Sequence, residues 1–184
     1  MNEQKPSVER ELKFALPEMD QLRKRLEELD AERLSASHLE DNWLLDRDGI
    51  LKAAGCVLRL RRNGQGAVVT YKGPATFEGG VKIRREHESR VDNLDQLQEL
   101  FECLGYRPVR RYQKMREEWR LGGVTIALDH TPIGDFVEFE GAGAETVARR
   151  SGFAVEDAEQ RNYLGIYDDY LKEHPEAPPD MVFP

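Results

Sequence analysis

Val8-Glu9-Arg10-Glu11-Leu12-Lys13-Phe14 changes character at every residue. Val8, Arg10, Leu12 and Phe14 fall on one side and Glu9, Glu11 and Lys13 on the other, the period of a β-strand. Two carboxylates and an amine therefore share a face, backed by a mostly apolar one. Whether that charged face looks toward solvent or toward an interior decides the fold.

The same alternation returns along the chain. A helix is predicted after this strand, opened by Pro17 and carrying Met19, Leu22, Leu26 and Leu29 as one apolar stripe. Strands are predicted over residues 35–46, 56–62 and 67–72, with the Gly-rich Asn63-Gly64-Gln65-Gly66 turning the last two into a hairpin. Residues 82–91 form a further strand with Lys82, Arg84, Glu86, Glu88 and Arg90 on one face. Asp92-Asn93 then caps a second helix bearing Leu94, Leu97, Leu100, Phe101 and Leu104, stopped by Gly105. Strands at 109–121, 124–129 and 134–140 follow, making roughly eight. A short helix after Ala144 and a longer one near 158–172, with Tyr163, Ile166, Tyr167, Tyr170 and Leu171 on its apolar side, complete the order. The Pro-rich residues 175–184 read as a loose tail.

The ionic residues recur at i, i+2, i+4 spacing on one face of strand after strand: Arg59 and Arg61, Lys72, Arg84 with Glu86 and Glu88, Lys114 and Arg116, Asp129, then Glu138 and Glu140. An open antiparallel sheet with one solvated face would account for this without any chemistry. Against it, the opposite faces carry Leu58 and Leu60, Val69 and Tyr71, Val124, Ile126 and Leu128, Val137 and Phe139, and the amphipathic helices have stripes to cover them. If the helices pack outside, the ionic faces line the interior. The fold expected is mainly β (α+β): a closed eight-stranded antiparallel barrel, a tunnel, with flanking helices. An interior mixing Lys/Arg with Asp/Glu is costly unless a multivalent charged guest enters it. Arg forks and Lys point charges suit phosphate oxygens, and neighbouring carboxylates suit a hard divalent cation.

Composition narrows the classes. The 184 residues, 39% of them hydrophobic, suffice for one domain, expected over 1–172 with 173–184 as the tail. No stretch approaches the length of a membrane span, and Met1-Asn2-Glu3-Gln4-Lys5-Pro6 lacks the apolar core of a signal peptide, so a cytoplasmic protein with no membrane partner is expected. A net charge of −8 argues against a general nucleic-acid binder. Cys56 and Cys103 lie far apart with no zinc-like spacing, and His38, His87, His130 and His174 are scattered, so neither a disulfide framework nor a His/Cys metal site is expected. Gly79-Gly80 lacks the strand-to-helix setting of a phosphate loop.

Glu9-Arg10-Glu11-Leu12-Lys13 resembles the ExExK signature of the CYTH superfamily, the triphosphate tunnel metalloenzymes, which joins class IV adenylyl cyclases with thiamine and inorganic triphosphatases. Leu58-Arg59-Leu60-Arg61, Thr70-Tyr71-Lys72-Gly73-Pro74, Arg84-Arg85-Glu86-His87-Glu88, Lys114-Met115-Arg116, Leu128-Asp129 and Gly134-Asp135-Phe136-Val137-Glu138-Phe139-Glu140 resemble the family's successive strands in its order, from residue 8 to about 170. The resemblance implies an eight-stranded tunnel in which Glu9, Glu11, Glu138 and Glu140, with Asp129 as a further candidate, hold Mg²⁺ or Mn²⁺. It implies that Lys13, Arg59, Arg61, Lys72, Arg84, Lys114 and Arg116 bind the triphosphate. Lys13 is further expected to serve catalysis by stabilising charge near the bond that breaks. Glu86 and Glu88 match family positions or act as spacers between lumen cations. Asn162-Tyr163 stands where the family usually has Ser-Tyr.

The function expected is metal-dependent hydrolysis of an inorganic or organic triphosphate. An adenylyl cyclase making cyclic AMP and pyrophosphate, and a non-catalytic polyphosphate- or nucleotide-binding module, are the alternatives. Family cyclases resemble one another in a His-Phe pair ahead of ExExK, which the first eight residues here do not contain. The partner expected is a small-molecule triphosphate, with a homodimer left open.

Overall fold

The computed structural model describes residues 7–184; the opening six, on which the signal-peptide and most of the His-Phe reading rest, lie outside the described residues. Eight strands form one closed antiparallel barrel: β1 (Ser7–Ala15), β2 (Glu32–Asp46), β3 (Val57–Asn63), β4 (Gly66–Glu78), β5 (Val81–Val91), β6 (Arg107–Leu121), β7 (Val124–Thr131) and β8 (Gly134–Glu140). They run round the wall in the order β1-β5-β4-β3-β2-β6-β7-β8, and β8 pairs back onto β1. Three helices in connections between strands and two that follow the last strand flank it: α1 (Met19–Glu28), α2 (Ile50–Ala53), α3 (Leu94–Cys103), α4 (Ala144–Arg150) and α5 (Tyr163–Glu173). Among the described residues no helix is long and apolar enough to cross a membrane.

Strand parity assigns each side chain to the lumen or to the outer shell. Leu12 and Phe14 of β1, Ile126 and Leu128 of β7, and Val137 and Phe139 of β8 point outward and are buried under Leu22 and Leu26 of α1 and Ala144, Val147 and Ala148 of α4. Each large apolar side chain removed from water in this way contributes about 1.5–3 kcal/mol. A second outer cluster joins Leu58 and Leu60 of β3 to Leu94 of α3. A further cluster places Tyr163, Leu164 and Tyr167 of α5 against Tyr112 and Phe136, and Tyr112, Tyr163 and Leu164 reach the interior cavity as well. Most of the core thus surrounds the barrel, and the interior is lined mainly by polar groups. One buried acid also serves the shell: Glu117, 2% exposed, accepts from the Trp119 indole at 2.8 Å and from Arg23 of α1 at 3.0 Å, and pairs with Arg33 at 3.2 Å, fastening α1 to β6.

Several boundaries differ from the sequence reading for local reasons. Pro17 precedes the cap residue Glu18, and α1 begins at Met19. The strand expected to stop at Lys72 continues to Glu78, because a register shift between Lys72 and Ala75 takes up Gly73-Pro74 as an irregularity, where Pro74 has no N–H to donate, and pairing resumes at Ala75. The last helix starts only at Tyr163, where the Asn162 side chain accepts from Gly165 N at 2.7 Å. The short α2 carried too little periodicity to be read. The segment expected to be a loose tail is docked: Met181 is fully buried, bridges in parallel to Tyr112, and exchanges backbone hydrogen bonds with Arg111 and Gln113. Its reason is an unpaired edge. β7 accompanies β6 only from Met115 onward, so residues before Met115 have free backbone groups, which the C-terminal segment satisfies.

Candidate active site

The barrel encloses a cavity of about 330 Å³. Of the residues predicted for the site, Glu9, Glu11 and Lys13 from β1, Arg59 and Arg61 from β3, Lys72 from β4, Arg84 from β5, Lys114 and Arg116 from β6, and Glu138 and Glu140 from β8 all line it. Asp129 does not line it. Eight Lys/Arg and seven Glu side chains face this one space, so a bare polyanion entering it meets nearly as many carboxylates as cations.

The two signs are not mixed evenly. β3, β2 and β6 build a basic wall. Arg61 Nε donates to Asn42 Oδ1 at 2.8 Å and Arg61 Nη1 to Glu40 Oε1 at 2.7 Å, while Arg59 donates to Thr70 Oγ1 at 3.1 Å. Lys114 Nζ and Arg116 Nη2 reach Asp129 Oδ2 at 2.9 and 2.6 Å, and Arg116 Nε reaches Oδ1 at 2.8 Å. Tyr163 of α5 also donates its hydroxyl to Asp129 Oδ2, at 2.6 Å. Asp129 is wholly buried with both oxygens engaged, so in this arrangement it anchors the two cations; the expected ligand role finds no free oxygen. Burial opposes the charge of Glu40, but Lys114, Arg116, Arg61 and Arg59 outweigh it and hold the carboxyl at about 2. Burial likewise opposes the phenolate of Tyr112, and Arg59, Arg61 and Lys114 bring it down to about 8.

β5, β1 and β8 build an acidic wall. Lys72 Nζ lies 3.3 Å from Glu9 and also pairs with Glu86; Lys13 Nζ lies 3.3 Å from Glu138 and 3.6 Å from Glu11; Lys82 Nζ is 3.7 Å from Glu11. Arg116 crosses over to pair with Glu138. Carboxylates still exceed the ammonium groups between them, and protons make up the difference. Burial and a hydrogen bond with Glu9 push Glu86 up to about 8. Burial pushes Glu140 up to about 7, with Glu9 adding to it. Against the same burial, the hydrogen bond from Glu86 and the Lys72 charge hold Glu9 down to about 2. Among the described residues no three acids, histidines or cysteines form a ready-made metal cage. The donor set nevertheless fits a hard divalent cation: all its atoms are carboxylate oxygens, Glu11 and Glu140 are register partners across β1 and β8, and lysine ammonium groups sit between the acids as cationic stand-ins.

Lys13 is the link between the wall and the C-terminal helix. Its ammonium donates to the Arg161 carbonyl at 3.2 Å and lies 4.2 Å from the centre of the Tyr163 ring. Arg84 departs from expectation. Its guanidinium donates to the carbonyls of Gly73 and, at 3.0 Å, of Gly55, so it ties the β4 irregularity to the α2–β3 connection. The sequence reading assigned no role to Tyr112 and Glu118, which share the parity of Lys114, or to Lys82, which shares the face of Arg84, and all three line the cavity. It also passed over Glu40 and Asn42 of β2, which do not line the cavity but hold Arg61.

The CYTH domain profile matches residues 7–163. The chain belongs to the CYTH domain family. Among its relatives, a Methanocaldococcus jannaschii protein named "Putative adenylate cyclase" is 25% identical over 134 residues, 72% of this chain and 76% of its own. Among solved structures, a Vibrio parahaemolyticus protein of the same name superposes with a TM-score of 0.79 at 23% identity, covering 89% of this chain and 99% of its own. A Hippeastrum protein described as a "Putative adenylyl cyclase" with a dominant triphosphatase activity gives 0.59 at 19% identity, covering 91% and 88%. The two structural likenesses carry the fold. CYTH members are enzymes of the triphosphatase or adenylyl cyclase-like kind, and this chain keeps their barrel and their opening motif.

Proposed function

We propose that this CYTH protein hydrolyses a short triphosphate in the barrel lumen with the help of Mg²⁺ or Mn²⁺. The observation that carries the reading is the facing of a hydrogen-bonded basic wall and a carboxylate-rich wall around one cavity. A metal–polyphosphate complex has the matching distribution of charge, and its family's tunnel enzymes generally depend on a divalent metal.

In this reading Glu9, Glu11, Glu138 and Glu140 hold the cation, and Asp129 keeps Lys114 and Arg116 in place. When bound, the cation neutralises charge on phosphate oxygens and favours attack by water. Arg59, Arg61, Lys72, Lys114 and Arg116 clamp the phosphate chain. Phosphoryl transfer demands little covalent help from the protein and much positioning and charge neutralisation, so a pre-arranged basic wall is the main contribution of the chain itself. Lys13, fixed between Glu138 and the Arg161 carbonyl, stabilises charge on the departing oxygen. Arg84, which lines the cavity with its donors engaged by the Gly73 and Gly55 carbonyls, shapes the wall.

The cyclase reading is favoured by the names of the relatives. It asks in addition for a base-binding surface; the lumen lining offers Leu44, Val57 and Leu164 with Tyr112 and Tyr163, but the Tyr163 hydroxyl is engaged by Asp129 and its ring is covered by Lys13. The test supplies purified protein and Mg²⁺ or Mn²⁺ with equal concentrations of tripolyphosphate, thiamine triphosphate and ATP. Orthophosphate release from tripolyphosphate is expected to outpace cyclic AMP formation. Cyclic AMP accumulating faster overturns the hydrolase in favour of the cyclase, and no turnover of any substrate promotes the binding module.

A further inference from the structure

Glu40 does not itself line the cavity but is buried against cations that do, and neither the metal nor the phosphate reading has a use for it. It sits on the basic wall, 2% exposed, with Lys114 as its register partner across β2 and β6. Its Oε1 accepts from Arg61 at 2.7 Å, while Asn42, two residues on, accepts from Arg61 Nε at 2.8 Å and donates to the Tyr112 carbonyl at 3.3 Å. Two donors of one guanidinium are thereby fixed in a fork from a single strand. The other oxygen, Oε2, is buried without a hydrogen bond, yet Lys114 Nζ stands 3.6 Å and Arg116 Nε 3.9 Å from it. A buried acceptor left unmade is unfavourable and calls for a reason. Charge supplies one: three cations gathered for a guest repel one another when the guest is elsewhere, and an ionised acid among them lessens that repulsion.

We propose that Glu40 is a built-in counter-anion and positioning residue: with Asn42 it fixes the Arg61 fork, and it lowers the affinity of the lumen for a polyanion that arrives without its metal. The inference rests on the reading that the lumen takes a triphosphate. A free polyanion must oppose Glu40 as well as the acidic wall, whereas a metal-bound one brings its own compensation for that wall. Glu40 thereby helps the protein distinguish the two forms of one substrate.

The experiment is calorimetric binding of tripolyphosphate with a chelator present, beside steady-state kinetics with Mg²⁺. Glu40→Gln removes the opposing charge and weakens the fork, so metal-free affinity is expected to rise on the order of tenfold while kcat falls. Simple loss of structure would lower both. Glu40→Asp keeps the charge but withdraws it from Arg61, and is expected to leave metal-free affinity within about twofold of the unaltered protein while kcat still falls. Unchanged or weaker metal-free binding by folded Glu40→Gln overturns the proposal. If Glu40→Gln does not fold, Glu40→Asp decides: tightened metal-free binding, or an unchanged kcat, overturns it equally. Tripolyphosphate that binds the unaltered protein in neither the presence nor the absence of Mg²⁺ removes the functional reading and this inference together; binding that is unaffected by Glu40 removes this inference alone.

Discussion

The basic and acidic walls of the lumen solve the same problem, burying charge, in opposite ways. On the basic wall the cations are held by hydrogen bonds to Asn42, Glu40, Thr70 and Asp129, and the acids there are fully ionised partners. On the acidic wall the carboxylates outnumber the ammonium groups, and Glu86 and Glu140 keep protons to a pH at which an exposed glutamate has lost them. One side is preorganised and the other is adjustable. An interior that needed only stability would have paired its charges throughout, or dispensed with them; in the proposed function the acidic wall is the one that receives the cation.

The sharpest way to break this comparison is to neutralise the adjustable wall. Glu9→Gln and Glu138→Gln are each expected to lower kcat/KM for the triphosphate on the order of 10³-fold, the scale of a lost charge at a phosphoryl-transfer centre, with far-UV circular dichroism unchanged. Losses under about tenfold in both variants would take these acids out of the chemistry.

Arg84 probes the boundary between the walls. Because its donors serve the Gly73 and Gly55 carbonyls, Arg84→Met is expected to cost about 2–3 kcal/mol in urea unfolding while KM moves less than about threefold. A large rise in KM at unchanged stability would return Arg84 to the phosphate clamp that its motif suggested.

Next in size is the pH dependence of stability, in which the walls pull in opposite directions. Glu86 and Glu140, raised from 4.5 to about 8 and about 7, keep protons in the folded state that the unfolded chain releases, so stability falls as pH rises from about 5 to 8. Glu40 and Glu9, lowered from 4.5 to about 2, have released protons that the unfolded chain still binds, so stability falls as pH drops from about 4.5 toward 2. Thermal melts without metal should therefore peak near pH 5 and lose on the order of 5 °C by pH 8, and Mg²⁺ should flatten the alkaline side alone. A monotonic rise from pH 5 to 8 would contradict the proton-holding wall.

The smallest effect concerns Tyr112. Its phenolate, brought down to about 8 by Arg59, Arg61 and Lys114 against its burial, should appear in the ultraviolet difference spectrum near pH 8 and vanish in Tyr112→Phe. Adding tripolyphosphate should raise the midpoint by roughly half a unit, because a guest anion repels the phenolate. An unmoved midpoint would place the guest away from Tyr112.

Most of the barrel was legible because alternation needs only a sequence. Glu9, Glu11 and Lys13 against Leu12 and Phe14 fix β1, and the same rule places Arg59, Lys114 and Glu138 in the lumen without knowledge of the partner strands. What alternation cannot carry is which lumen groups find one another. The family resemblance offers Asp129 as a further metal ligand, yet Lys114, Arg116 and Tyr163 converge on it from two other elements, contacts that no single strand's alternation announces. Arg84 shows the same limit: its pull toward two carbonyls depends on a β4 irregularity at Gly73-Pro74 that period-2 reasoning reads as a strand end. The docking of Met181 was invisible for a related reason, since a tail is ordered by an edge left open elsewhere.

The ring order has a consequence for how the chain reaches this state. β2, β3, β4 and β5 are successive neighbours, joined through short-range pairings that can form as they leave the ribosome. β1 is made first and satisfied last: its partners are β5 on one side and β8, ending at Glu140, on the other. Until β8 is made, at least one edge of β1 stays unpaired and its ExExK face has no closed lumen to enter. Slow closure of a long loop is the step most open to aggregation in such a topology, so the opening motif is also the seam at which assembly is completed.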